Sequence, residues 1–126
     1  MKPLKIESTH KTPKVYLDPE EGVFEISGRS IPEDSVGFYK PVLEWLDEYG
    51  KNPNEKTEFK FELEYFNTSS SKNILELLKR LEEIYEKGHD VKVIWYYDED
   101  DEDMEETGED YQALLKVPVE LIMRVY

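Results

Sequence analysis

The stretch Phe59-Lys60-Phe61-Glu62-Leu63-Glu64-Tyr65-Phe66-Asn67-Thr68-Ser69-Ser70-Ser71-Lys72-Asn73-Ile74-Leu75 decides how this chain folds. Phe59, Phe61, Leu63 and Tyr65 alternate with Lys60, Glu62 and Glu64, the period of two of a strand buried on one face. Beyond the hydroxyls, Ile74, Leu77, Leu78, Leu81, Ile84 and Tyr85 recur at the spacing of a helix with one buried stripe. A cluster of hydroxyls therefore stands where a strand hands over to a helix. Free backbone N–H groups and the positive end of the macrodipole favour oxygen-rich or anionic groups there.

Working outward, Val91 to Tyr97 reads as a strand by its β-branched and aromatic content. Strand, helix and strand with short connections make a right-handed crossover, so these two strands are expected to be parallel. Upstream, Val15–Leu17 and Val23–Gly28 flank the turn residues Asp18-Pro19-Glu20-Glu21-Gly22 and form a hairpin. A first helix begins near Asp34 or Ser35, either of which can cap it, and stops at Gly50. Pro41 inside it predicts a kink, or a start at Lys40. The acidic run from Asp98 to Asp110 passes into a third helix, with Met104, Tyr111, Leu114 and Leu115 as its apolar contacts. Val119 to Tyr126 closes the chain as another alternating strand.

In the last three strands one face is apolar and the other mixed or charged, whereas strands covered on both sides read as continuous apolar runs. The expected architecture is therefore an α/β domain with a mixed five-stranded sheet and its helices on one face. The single domain spans residues 1–126, with residues 1–13 as an extended arm. The open face then presents Lys60, Glu62, Glu64, Lys92, Tyr96, Glu120 and Arg124, with Ile94 and Ile122 among them as a small contact patch.

Composition narrows the chemistry. The chain has no cysteine, which excludes thiol-redox, disulfide and zinc-finger readings. A formal charge of -14 argues against a nucleic-acid partner, which selects clustered Lys and Arg. No apolar run is long enough to span a membrane, and the first residues lack a secretory signal, so a cytoplasmic protein is expected. His10 and His89 read as surface residues. There is no Gly-x-Ser-x-Gly elbow and no Gly-Lys-Ser/Thr phosphate loop, so no catalytic residue, cofactor or metal is assigned. Asp98 to Asp103 reads as a solvated helix start that complements the dipole, and the sixth position of an EF-hand loop would need glycine where Asp103 stands. For the hydroxyls, local physics leaves two readings open: helix capping, including a capping box of Asn73 with Glu76, or a regulatory site.

Tyr65-Phe66-Asn67-Thr68-Ser69-Ser70 with Lys72, Thr12-Pro13, Ile31-Pro32-Glu33-Asp34-Ser35 and Trp95-Tyr96-Tyr97-Asp98 together resemble the SiaC-like regulatory phosphoproteins, which are similar in fold to the STAS domains of anti-sigma-factor antagonists. The resemblance spans nearly the whole chain in one order. It implies a STAS-like, non-enzymatic partner-switching protein. Thr68 would be phosphorylated by a cognate serine/threonine kinase and dephosphorylated by a PP2C-type phosphatase. The unmodified form would bind and activate a diguanylate cyclase, and so control cyclic di-GMP. Asn67, Ser69, Ser70, Ser71 and Lys72 would shape the phosphosite and meet the partner. The competing reading is a constitutive assembly domain that uses the open sheet face and the acidic helix.

Overall fold

The computed structural model describes residues 1–125; the expected continuation of the last strand to Tyr126 lies outside them. The elements are β1 (Leu4–Ile6), β2 (Lys14–Asp18), β3 (Val23–Ser30), α1 (Ser35–Tyr49), β4 (Lys56–Phe66), α2 (Thr68–Glu86), β5 (Asp90–Asp98), α3 (Glu102–Leu114) and β6 (Val119–Arg124). They form one six-stranded mixed sheet in sequential order, β1-β2-β3-β4-β5-β6. The β1–β2 and β2–β3 pairs are antiparallel, and β3–β4, β4–β5 and β5–β6 are parallel.

The expected five strands become six because part of the arm joins the sheet. Leu4, Lys5 and Ile6 pair with Leu17, Tyr16 and Val15, and Leu4 and Ile6 pack against the core. The indole of Trp45 donates to the Lys2 carbonyl at 2.9 Å, tying the arm to α1. A three-residue strand is too short to announce itself by alternation.

Each parallel pair is joined through a helix, and the crossovers place all three helices on one face. The core lies between them and the sheet. Val15, Leu17, Phe24, Ile26, Phe59, Phe61, Val91, Val93 and Trp95 meet Tyr39, Val42, Leu46 and Tyr49 of α1 and Ile74, Leu77, Leu78 and Leu81 of α2. At about 2 kcal/mol for each fully buried large apolar side chain, this layer dominates the favourable side of folding.

Helix α1 does not start at Lys40 but runs through Pro41 as one element. It runs from Ser35, because the Asp34 carboxylate accepts from the Gly37 N–H at 3.0 Å and caps it. A Cβ at Gly37 would press on that carboxylate, so a larger residue there would shift the capping side chain. Pro41 and Gly37 both lie on the exposed side, so the carbonyl that proline leaves unserved faces water.

Three expected faces differ. Tyr65 is 53% exposed rather than apolar-facing. In α3, Met104, Tyr111 and Leu115 are buried as expected, but Leu114 turns outward at 65% exposure. Met123, near the end of the edge strand β6, and Val125, just beyond it, are exposed.

The open face is also not the patch expected of it. Ile94 is only 5% exposed, and the face is laced by ion pairs between strands. Lys92 meets Glu120 at 2.9 Å and Lys14 meets Glu25 at 3.7 Å. Arg124 reaches Glu62 at 3.2 Å and lies 4.9 Å from the centre of the Tyr96 ring. Such exposed pairs add little stability, but they neutralise the surface locally and leave few charges for a partner to answer.

Candidate functional site

The parallel strands β3, β4 and β5 deliver the N-termini of α1, α2 and α3 to the same edge of the sheet. Thr68, at the start of α2, therefore sits between the Glu33-Asp34 approach to α1 and the Asp98–Asp103 approach to α3. Acidic Glu102, Asp103 and Glu105 occupy the first turn of α3, whose N-cap Asp101 accepts from the Met104 N–H at 3.0 Å.

A bulge aims the turn. Gly28 pairs with Leu63, but the next residue, Arg29, pairs with Tyr65, so Glu64 is extra in β4. An extra residue reverses the alternation beyond it. Phe66 then packs edge-on against Trp95, at 6.2 Å between ring centres, and Tyr65 points to solvent. Gly28 takes a φ of +105°, a conformation that suits glycine at such a bulge.

The hydroxyl cluster then divides into separate tasks. Asn67, with extended backbone, caps α2 by accepting from the Ser70 N–H at 2.9 Å. The helix begins at Thr68, so Asn73 is not a cap; it donates from Nδ2 to the Ser69 carbonyl at 3.0 Å. Glu76 pairs with Arg80 at 2.9 Å instead of closing a capping box.

Ser70 is 0% exposed and belongs to a buried chain of hydroxyls. Ser30 Oγ donates to Ser70 Oγ at 2.9 Å, and Ser70 Oγ donates to the Ser30 carbonyl at 3.1 Å. A serine hydroxyl has one proton, so the 2.6 Å bond between Ser30 Oγ and Tyr39 OH must be donated by Tyr39. Burial pushes the Tyr39 phenol up to about 12, with the Ser30 bond opposing, so it remains protonated at neutral pH. The Asn67 N–H also donates to the Ser30 carbonyl, at 3.0 Å. Strand β3, α1 and the start of α2 are thus fixed to one another directly beneath the turn.

Ser69 Oγ donates to Asn67 Oδ1 at 3.2 Å and lies 2.7 Å from Ser35 Oγ, bridging the two helix starts. Ser71 Oγ donates to the Thr68 carbonyl at 2.6 Å. Thr68 is exposed, and its hydroxyl makes no side-chain hydrogen bond among the described residues. Capping therefore accounts for Asn67, and packing or bridging for Ser69, Ser70 and Ser71. Within the run Thr68–Ser71, the one hydroxyl with no structural task among the described residues is that of Thr68.

Around it, Tyr65 and Val36 are exposed, the latter at 70%. Lys72 is exposed one turn further along α2 and shares a shallow cleft of about 390 Å³ with Glu33, Asp34, Val36 and Ser69. Of the residues assigned from sequence, Thr68, Ser69 and Lys72 reach the surface and Asn67 and Ser71 are half-buried. Ser70 acts from beneath. Ser30, Ser35 and Tyr39, which hold this arrangement, carry no local sequence signal of doing so; they come from elements 30 to 40 residues away in the chain. Among the described residues no group of three or more His, Cys, Asp and Glu side chains could hold a metal ion. No described helix is long and apolar enough to cross a membrane.

Residues 6–124 match the family model for SiaC family regulatory phosphoproteins. The chain belongs to the SiaC family. Its fold superimposes on SiaC of Pseudomonas aeruginosa with a TM-score of 0.89 and 27% identity, covering 98% of this chain and 100% of that one. Against the crystal structure of the diguanylate cyclase SiaD in complex with its activator SiaC, also from Pseudomonas aeruginosa, the TM-score is 0.90 with 29% identity over 96% of this chain and 99% of that one. A further relative, an uncharacterised protein of Pseudomonas aeruginosa, is 31% identical over 118 residues, 94% of each chain. The family resemblance of the Asn67–Lys72 element is thus matched along almost the full chain.

Proposed function

We propose that this SiaC-family member is a single-domain, non-enzymatic partner switch of the cytoplasm, STAS-like in fold, whose unmodified form binds and activates a diguanylate cyclase. Phosphorylation of Thr68 by a cognate serine/threonine kinase releases the cyclase, and a PP2C-type phosphatase restores binding. The observation that carries the reading is the division of labour at the turn: Thr68 is exposed with an unengaged hydroxyl, while each hydroxyl after it is tied into the fold. The complex of the related SiaC with SiaD supports a cyclase as the target.

The physics of the switch is local. Phosphorylation adds about -1.5 to -2 charges and three strongly hydrated oxygens. The domain tolerates them, because the first helical turn offers free N–H groups and the hydroxyl that changes holds nothing together. A partner covering the turn would have to desolvate the group. A loss of about 2.7 kcal/mol weakens binding roughly a hundredfold. One covalent change then removes a partner and leaves the fold intact.

The test is to co-express the chain with its cognate kinase, map the modified residue by mass spectrometry, and titrate Thr68→Ala and Thr68→Asp against the cyclase. Thr68→Ala is expected to bind as the wild type does, and Thr68→Asp to bind more weakly by tenfold or more, on the order of 1.4 kcal/mol. Phosphate found only on other residues, or equal affinity of the two variants, would end the Thr68 assignment.

A further inference from the structure

Thr68 and Ser69 are adjacent, both exposed, and both carry a hydroxyl on the first turn of α2. A kinase that reaches one is within a few ångströms of the other. What separates them is hydrogen bonding. The single proton of Ser69 is given to Asn67 Oδ1 at 3.2 Å, so the 2.7 Å bond to Ser35 must be donated by Ser35. Ser69 Oγ therefore has its proton and one lone pair engaged. Ser35 is only 5% exposed and is the first residue of α1, fixed by the Asp34-capped turn, so its hydroxyl does not swing away freely.

Phosphoryl transfer asks for the opposite condition. The acceptor oxygen forms a bond to the γ-phosphorus of a nucleoside triphosphate as the bond from that phosphorus to the leaving diphosphate breaks, and the hydroxyl proton passes to a base of the kinase. Thr68 meets this with its hydroxyl as it stands. Ser69 would first give up its bonds to Asn67 and Ser35.

We propose that Ser35 is a specificity-determining residue for the modification: by holding the Ser69 hydroxyl it directs phosphate to Thr68. The inference rests on the phosphorylation reading above and adds the selection between neighbours. It assigns Ser35, which contacts neither the kinase base nor the transferred group, a role through Ser69 alone.

The experiment co-expresses wild type, Ser35→Ala, Ser35→Cys and Ser35→Thr with the cognate serine/threonine kinase and quantifies phosphate on Thr68 and Ser69 by mass spectrometry, with circular dichroism to verify folding. The Ser69-to-Thr68 ratio is expected to rise about tenfold in Ser35→Ala, the factor that corresponds to roughly 1.4 kcal/mol. Ser35→Cys, whose thiol is a weak donor, gives a smaller rise, and Ser35→Thr, which keeps the hydroxyl, gives the wild-type ratio. In a Thr68→Ala background, Ser35→Ala accepts phosphate on Ser69 where intact Ser35 does not. An unchanged ratio in folded Ser35→Ala or Ser35→Cys overturns this inference alone. Wild type without phosphate on Thr68 overturns the parent reading and this one with it.

Discussion

Replacing Ser30 by alanine tests the buried hydroxyl chain that holds the phosphosite turn. In the wild type the protons run from Tyr39 OH to Ser30 Oγ, from Ser30 Oγ to Ser70 Oγ, and from Ser70 Oγ to the Ser30 carbonyl. Ser30→Ala leaves Ser70 its carbonyl acceptor but strips Tyr39 of the one hydrogen-bond partner its hydroxyl has among the described residues, in a side chain that is 0% exposed. The two lost bonds cost about 2 kcal/mol together and the orphaned donor about 1 more, about 3 in all. Tyr39→Phe removes the donor itself and leaves Ser30 donating to Ser70, so it costs only about 1 kcal/mol. In Ser30→Ala with Tyr39→Phe no donor is orphaned, and the total falls to about 2 kcal/mol rather than the additive 4. The coupling is then about 2 kcal/mol, well outside the scatter of additivity for independent sites. Urea denaturation of the four proteins gives the cycle. Additive losses would refute the assigned direction of the protons and the claim that Tyr39 depends on Ser30.

The same phenol gives a pH signature. Its folded value is pushed up by burial to about 12 from an ordinary 10.0, so Tyr39 is neutral in both states below pH 10; between 10 and 12 the unfolded chain ionises first, and stability falls as pH rises. Alkaline unfolding curves of wild type and Tyr39→Phe are expected to diverge across that window, with the variant the flatter, and parallel curves contradict the burial argument. Gly108→Ala would bring a Cβ to 2.6 Å from Trp95 Cδ1, and the indole cannot yield easily because its Nε1 donates to the Met104 carbonyl at 3.0 Å. The overpacking cost of about 1–3 kcal/mol exceeds the helix-propensity gain of about 1, so the urea midpoint drops, and an unchanged or higher midpoint would show that α3 shifts freely. On the open face, Ile94→Glu places a charge where the side chain is 5% exposed, and a loss of fold stability of about 2 kcal/mol or more is expected before any loss of a partner. Full stability with selective loss of cyclase binding in that variant would favour assembly through the open face.

Most of the fold was legible because it is written in local periods. Alternation in Phe59–Leu63 and in Val91–Trp95, and the stripe from Ile74 to Ile84, gave the parallel crossover and the covered face. What was not legible depends on distant partners. The strand at Leu4–Ile6 exists only because β2 offers an edge. Glu64 slips the register of β4 only against β3, and that slip exposes Tyr65 beside Thr68. Pro41 does not push the helix start to Lys40, because its cost depends on which side of the helix it occupies, and it occupies the exposed one. At the site, the run of hydroxyls was visible in sequence, but which of them is engaged was not. Ser69 and Ser70 are held by Ser35 and Ser30, 34 and 40 residues away. Thr68 stood out from the sequence by its family resemblance, and stands out in the structure by having no bond to keep.

In the proposed function, a phosphate on Thr68 decides whether the cyclase is bound. Purified protein, stoichiometrically phosphorylated on Thr68 alone, is compared with the unmodified form for activation of the diguanylate cyclase over a range of concentrations. The unmodified protein is expected to activate, and the phosphorylated form to need about a hundredfold more to reach the same rate, on the order of 2.7 kcal/mol. Coincident activation curves would contradict it.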